Sequence, residues 1–254
     1  METMTYELLT ATTIEELMAR IDASGARLRG VARGAEPAAV VPGSTWRVRD
    51  VVAHVVTVIR RYTRGVTIGD HPRDVDRINE DELATLADLE IDQLLAEHEQ
   101  ELAALRDGWG QLTDLTTTFP FHGGAAVDAA AALANVVGEH LVHGRDIAMA
   151  AGEPWEIAER DAVLVLNGVV QILPGYVRTD APTEPFAARL ELPGAVPWLL
   201  AFDGAELVSR AAGEADRVDA VLTDAGSVLL ALYGRSDAND LAWVRELDAR
   251  LERP

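Results

Sequence analysis

Glu139 and His143 stand four residues apart in an alanine-rich stretch, residues 125–151, and a lone His54 sits among valines in an earlier apolar stretch. Residues i and i+4 share a helix face, so the carboxylate and imidazole can point together into a bundle interior and, with His54, surround one metal ion. Two imidazoles and a carboxylate leave one position open on a tetrahedral zinc ion, as catalytic rather than closed structural sites do. The chain contains no cysteine, which excludes thiolate metal ligands and a cysteine nucleophile. The segment Glu139-His140-Leu141-Val142-His143 lacks the H-E-x-x-H order, in which a glutamate follows the first histidine as a base, so a metallopeptidase is not indicated.

Each of these residues also has a plainer account. His54 can be a core histidine satisfied by a backbone carbonyl or by Asp50, one turn earlier, because an unpartnered imidazole among valines is costly to bury. Glu139 and His143 can form an intrahelical pair contributing a few tenths of a kcal/mol. His140 can share a face with His143 at i, i+3. Of the other histidines, His71 falls in a charged loop and His98 on an acidic helix face, and both are expected at the surface. His122 belongs to a loop, Phe119-Pro120-Phe121-His122-Gly123-Gly124.

The elements that must position these groups are helical in the first half. Ile14, Leu17, Ile21, Leu28 and Val31 make one apolar stripe ending near Gly34. After a loop with Pro37, Pro42 and Gly43, Ser44 and Thr45 are candidate caps for a helix carrying Trp46, Val48, Val51, Val52, Val55, Val56 and Ile59 and stopping near Gly65. The charged segment 70–82 leads into a third helix whose leucines, Leu83 to Leu105, form a buried face, with Glu97, Glu99, Gln100 and Glu101 in water. The fourth helix, 125–151, contains Gly138 and Gly144 at a cost of about 1 kcal/mol each relative to alanine, so close packing or access to a site should compensate. Four such helices form an antiparallel bundle with room for an interior metal site. A helix over 159–177 follows, then short strands over 186–192, 198–202, 205–210 and 218–222 separated by turns such as Pro193-Gly194 and Asp203-Gly204. Two closing helices, 225–233 and 240–251, should cover one face of that sheet. The division expected is a helical bundle over 1–155 and a smaller α+β domain over 156–254.

Composition narrows the function. A net charge of −20, from 42 acidic and 22 basic residues, opposes binding to nucleic acid or anionic membranes, and the short Arg60, Arg61 and Arg64 cluster does not reverse it. All the basic residues are arginine. Without cysteine there are no disulfides. The N-terminal residues carry Glu2 and Glu7 and no basic start or apolar run, and no uncharged apolar segment reaches the roughly 18 residues of a membrane span, so a cytoplasmic protein is expected.

The stretch Trp46-Arg47-Val48-Arg49-Asp50-Val51-Val52-Ala53-His54-Val55, with Glu139-His140-Leu141-Val142-His143-Gly144-Arg145-Asp146-Ile147-Ala148, resembles the two metal-binding segments of mycothiol-dependent maleylpyruvate isomerases. That family belongs to the DinB-like four-helix bundles. The resemblance implies zinc, or another divalent metal, on His54, Glu139 and His143, the set that spacing alone selects. The second half is similar to the family's sterol-carrier-like C-terminal domain through Asp219-Ala220-Val221-Leu222-Thr223 and Leu229-Leu230-Ala231-Leu232-Tyr233-Gly234-Arg235. By that alignment Arg235 is the arginine that contributes to activity by binding an anion, with a surface arginine as the alternative. Mycothiol would be the cosubstrate, adding as a thiolate to a small electrophile, with isomerisation or S-transfer as the outcome. Asp50 and Asp146 could orient the ligands. A non-catalytic metal- or small-ligand-binding protein of the same superfamily is the rival reading, and oligomeric state, monomer or dimer, is open.

Overall fold

The computed structural model of the chain describes residues 9–65, 68–71, 74–236 and 241–252. Its first half begins with α1 (Ile14–Gly34), capped by Thr13, whose side chain accepts the Glu16 N–H at 3.2 Å. In α2 (Val48–Arg64) the cap is Arg47 rather than Ser44 or Thr45, with the Asp50 carboxylate accepting the Arg47 N–H at 3.0 Å. Asp50 is thereby used up at the helix start and does not reach His54. Ten α2 residues, Val48 and the nine from Val51 to Ile59, are buried, because the helix is covered on several sides at once.

The third helix divides. Charged residues form α3 (Asp74–Ala84), and the leucine-rich segment restarts as α4 (Ile91–Trp109). Between them, turns expose the carbonyls of Leu86, Ala87 and Leu89, which accept the Arg49 guanidinium at 3.0, 3.2 and 2.8 Å. That long-range capping ends one helix and starts another, which the leucine spacing alone does not reveal. Glu101 also departs from expectation: its side chain is buried between α4 and α2, pairing with Arg60 and Arg64 and accepting the Thr63 hydroxyl at 2.7 Å.

The fourth bundle helix, α5 (Ala129–Ala151), starts at 129 rather than 125. A hairpin of β1 (Thr118–Pro120) and β2 (Ala126–Asp128) precedes it, and Asp128 caps it by accepting the Ala131 N–H at 2.7 Å. Gly152, at φ 70°, closes it in a left-handed conformation that favours glycine. α1 packs on α5, α5 on α2, α2 on α4 and α4 on α1, so four helices close a ring, with α3 lying against α2. Both internal glycines of α5 allow close packing: a Cβ at Gly144 would sit 2.2 Å from Trp155, and one at Gly138 2.8 Å from Val165.

Beyond residue 155, α6 (Glu159–Ile172) packs on both α5 and the later α7 (Ala225–Leu232). The sheet has the order β5-β4-β3-β6, from β3 (Phe186–Leu190), β4 (Trp198–Asp203), β5 (Glu206–Ala211) and β6 (Ala220–Leu222). β3, β4 and β5 pair antiparallel, as their turns predict, whereas β6 joins β3 in parallel. α8 (Ala242–Arg250) lies against α7; Asp240, the residue at which this helix was expected to begin, falls outside the described residues. Phe202, Leu200, Leu222 and Leu229 share one apolar core with the bundle leucines and valines, so Trp198, Leu200 and Phe202 are packed core. The architecture is α+β, a four-helix bundle followed by a smaller sheet-containing part. No helix among the described residues is long and apolar enough to cross a membrane.

Candidate metal centre

α2 and α5 bring His54, Glu139 and His143 together, their donor atoms all within 4.8 Å of one another. Glu139 Oε2 lies 3.3 Å from Nε2 of both His54 and His143. The histidine rings meet edge to face at 4.9 Å, and Trp46 covers His54 at 4.9 Å. All three side chains are nearly buried, at 8, 12 and 10% exposure for His54, Glu139 and His143.

The group is incompletely satisfied. Glu139 Oε2, although close to two imidazoles, has no hydrogen bond of acceptable geometry, and His54 Nδ1 is likewise a buried polar atom without a partner. A buried carboxylate oxygen facing two Nε2 atoms fits a cation, and the donor set suits zinc among divalent metals. Burial pushes the Glu139 carboxyl up, but the two imidazoles more than offset this and hold it well below the usual carboxylate range. Burial lowers His54, with Glu139 opposing. His143 is also penalised by burial, yet Asp146 and Glu139 on its two sides raise it to about 9.

Behind His143 stands a supporting pair. His143 Nδ1 lies 3.3 Å from Asp146 Oδ2, so the ring presents Nε2 to Glu139. Arg235 donates from Nη2 to the same Asp146 oxygen at 3.2 Å and from Nη1 to the Tyr233 carbonyl at 2.7 Å. Of the two aspartates suggested as orienting groups, Asp146 contacts His143, whereas Asp50 is engaged by Arg47 and Arg49 at the start of α2. Arg235 reaches the site from the end of α7, joined to His143 through Asp146.

A cavity of about 240 Å³ opens on these residues, bounded also by Arg61, Asn135, His122, Tyr176, Tyr233 and Arg235. Sequence spacing missed most of this wall. Asn135 carried a signal, since it lies one turn before Glu139 on the same face. Arg61 is held by Glu82 and Asn79 from α3, and the tyrosines come from α7 and the turn after α6, which no local pattern joins to α2.

His98 is not at the surface. It is fully buried against His140, with Nε2 atoms 3.0 Å apart. Arg29 lies 3.1 Å from His98 Nδ1 and Ser24 Oγ 2.9 Å from His140 Nδ1, and the Ser24 hydroxyl donates to the Arg20 carbonyl at 2.7 Å. Gly25 makes this possible, because a Cβ there would approach both rings at 3.1–3.2 Å. His140 therefore turns away from the His143 face, while His71 is exposed.

The mycothiol maleylpyruvate isomerase N-terminal domain model matches residues 18–148. A crystal structure of a histidine-to-alanine mutant of mycothiol-dependent maleylpyruvate isomerase is similar with a TM-score of 0.55 and 15% identity, covering 96% of each chain. A second structure of mycothiol-dependent maleylpyruvate isomerase gives 0.55 and 16% identity, covering 89% of this chain and 91% of the other. At this identity the likeness concerns the fold. No curated protein matches the chain. Because the matched segment is more than half of the chain and carries all three converging residues, the chain belongs to the mycothiol maleylpyruvate isomerase N-terminal domain family.

Proposed function

We propose that the protein is a metal-dependent enzyme that uses a low-molecular-weight thiol, mycothiol by family relationship, either to isomerise a small electrophile or, as an S-transferase, to form a thioether with it. The observation that carries this reading is the orphaned Glu139 oxygen between two imidazoles at the wall of a cavity. His54, Glu139 and His143 would hold the metal. A bound divalent cation such as zinc supplies the positive charge that keeps a thiol ionised at neutral pH.

The remaining work falls to the chain's own groups. Asp146 keeps His143 oriented, and Trp46 shields His54 from water. Arg235, tied to Asp146 at the cavity wall, binds an anionic group of a substrate. Burial raises the Tyr176 hydroxyl to about 12 and the Tyr233 hydroxyl further, so both stay protonated as donors to substrate oxygens. With a conjugated enone, the thiolate sulfur bonds to the β carbon and the double-bond electrons move to the carbonyl oxygen. Rotation and loss of the same thiolate complete an isomerisation, whereas protonation at the α carbon leaves an S-conjugate. The absence of cysteine supports a thiol supplied from outside.

The test is metal analysis of the protein and of the separate His54→Ala, Glu139→Ala and His143→Ala variants, with helicity checked by circular dichroism and consumption of mycothiol and enone assayed in parallel. One metal per chain, lost in all three folded variants together with turnover, is the expected result. Failure to take up zinc on reconstitution would overturn the metal site, and metal uptake without thiol consumption would leave a binding protein.

A further inference from the structure

A second chamber, of about 150 Å³, adjoins the metal-side cavity and shares Val58, Arg61, Phe121, His122 and Asn135 with it. Its remaining wall is apolar and largely aromatic, from Tyr62, Trp109, Phe119, Val127 and Ala132 among others. The rings are fixed: Trp109 packs at 5.0 Å against Phe119, tilted by 40°, and meets Tyr62 edge-on at 5.7 Å, and its indole N–H donates to the Tyr62 carbonyl at 3.0 Å. The β1–β2 hairpin forms one side and is tied back by the Phe121 N–H to the Ala125 carbonyl at 2.8 Å. On the α5 side Ala132 contributes only a methyl group, so the walls cannot close over the space.

We infer that this chamber is the subsite for an uncharged apolar group, about one six-membered ring in size, carried by the electrophile whose reactive carbon lies in the metal-side cavity. The inference rests on the proposed thiol chemistry. Size supports it, since an apolar cavity of roughly 150 Å³ accommodates benzene. Charge supports it too: among the described residues the one formal charge in the lining is Arg61, and Glu82 neutralises it through contacts at 2.6–3.1 Å. The shared wall offers a directed donor. His122 Nδ1 accepts the Gly69 N–H at 3.0 Å, so the neutral ring carries its proton on Nε2, which has no partner among the described residues; as His122 lines both chambers, that N–H is the donor we assign to the carbonyl oxygen of a ring-bearing substrate. Burial, aided by Arg61, lowers His122 to about 4, which keeps the ring neutral at ordinary pH.

Two measurements test this. Crystals soaked in bromobenzene should show anomalous bromine signal in the chamber, and Ala132→Phe, which fills it from α5, should abolish that signal. In solution, kcat/KM with mycothiol is compared for benzylideneacetone and methyl vinyl ketone, each normalised to its uncatalysed thiol addition. A preference of at least about tenfold for the ring-bearing enone is expected, with the ratio falling toward one in Ala132→Phe at unchanged metal content. No bromine in the chamber, or turnover of both enones without preference, overturns the subsite. Bromine in place with no thiol consumption from either enone overturns the thiol reading instead, and with it the chamber's role in substrate binding.

Discussion

Two histidine pairs lie in the same bundle and use neighbouring residues of α5, yet they differ in kind. His140 and His98 belong to a continuous chain in which Arg29 donates to His98 Nδ1, His98 Nε2–H to His140, His140 Nδ1–H to Ser24, and Ser24 to the Arg20 carbonyl. Every polar atom on that path is used, and the rings are closed off by Gly25 and Leu102. His143 and His54 meet instead at a carboxylate oxygen that has no hydrogen bond, beside a cavity. Burial of a histidine does not mark a site; unsatisfied valence facing open volume does. Glu139 and His140 are adjacent on α5 and point about 100° apart, so one step along the helix separates a saturated polar network from an unsaturated cluster beside a cavity.

The sharpest way to break this contrast is Glu139→Ala. It should abolish metal binding and lower thiol-dependent turnover at least about 1,000-fold, as expected when a cation's several kcal/mol of charge stabilisation is lost, while the helices persist. Metal analysis with parallel kinetics reads this, and retained metal would erase the distinction between the pairs. Next comes His98→Ala, which leaves His140 Nε2 and Arg29 without a partner. Thermal or urea unfolding should show a loss of about 1–3 kcal/mol, with metal content intact; loss of metal would mean the two networks are coupled. Asp146→Asn sharpens the comparison from the reactive side. It keeps the shape but weakens the support of His143, and should reduce zinc affinity by roughly 10–100-fold in a competition titration with a chelator.

The smallest effect is acid sensitivity of the structural pair. Burial, reinforced by His140 and Arg29, holds His98 well below the ordinary histidine value of 6.5. The unfolded chain therefore binds more protons as pH falls through 6.5, so the stability this residue contributes is complete above that value and declines below it. Melting temperature measured between about pH 7.5 and 5 should fall, and should fall less in His98→Gln. An equal slope in both proteins would remove His98 as the cause.

Much of the fold was legible because local patterns were strong. The stripe of Leu17, Ile21 and Leu28 marked α1, and Pro193-Gly194 and Asp203-Gly204 marked the turns joining β3, β4 and β5, where Gly194 and Gly204 adopt φ of 73° and 58°. Patterns failed where distant groups decide. The break between α3 and α4 depends on Arg49 reaching across from α2, and the parallel pairing of β6 with β3 depends on a crossover that no turn residue announces. The burial of His98 is hidden because its neighbours Glu97, Glu99 and Gln100 are polar, whereas its own face of α4 meets Gly25 of α1 and His140 of α5.

The sequence by itself determined that the chain folds around helices, that Glu139 and His143 share a face, and that any reactive sulfur must be brought in. Those properties follow from spacing and composition, which are local or additive. Tertiary structure alone decided that His140 turns away to pair with His98, that Asp146 rather than Asp50 contacts His143 and links it to Arg235, and that two chambers share a wall at Asn135 and His122. Those outcomes depend on the relative rotation and spacing of packed helices, fixed by the sum of many distant contacts rather than by any short run of residues.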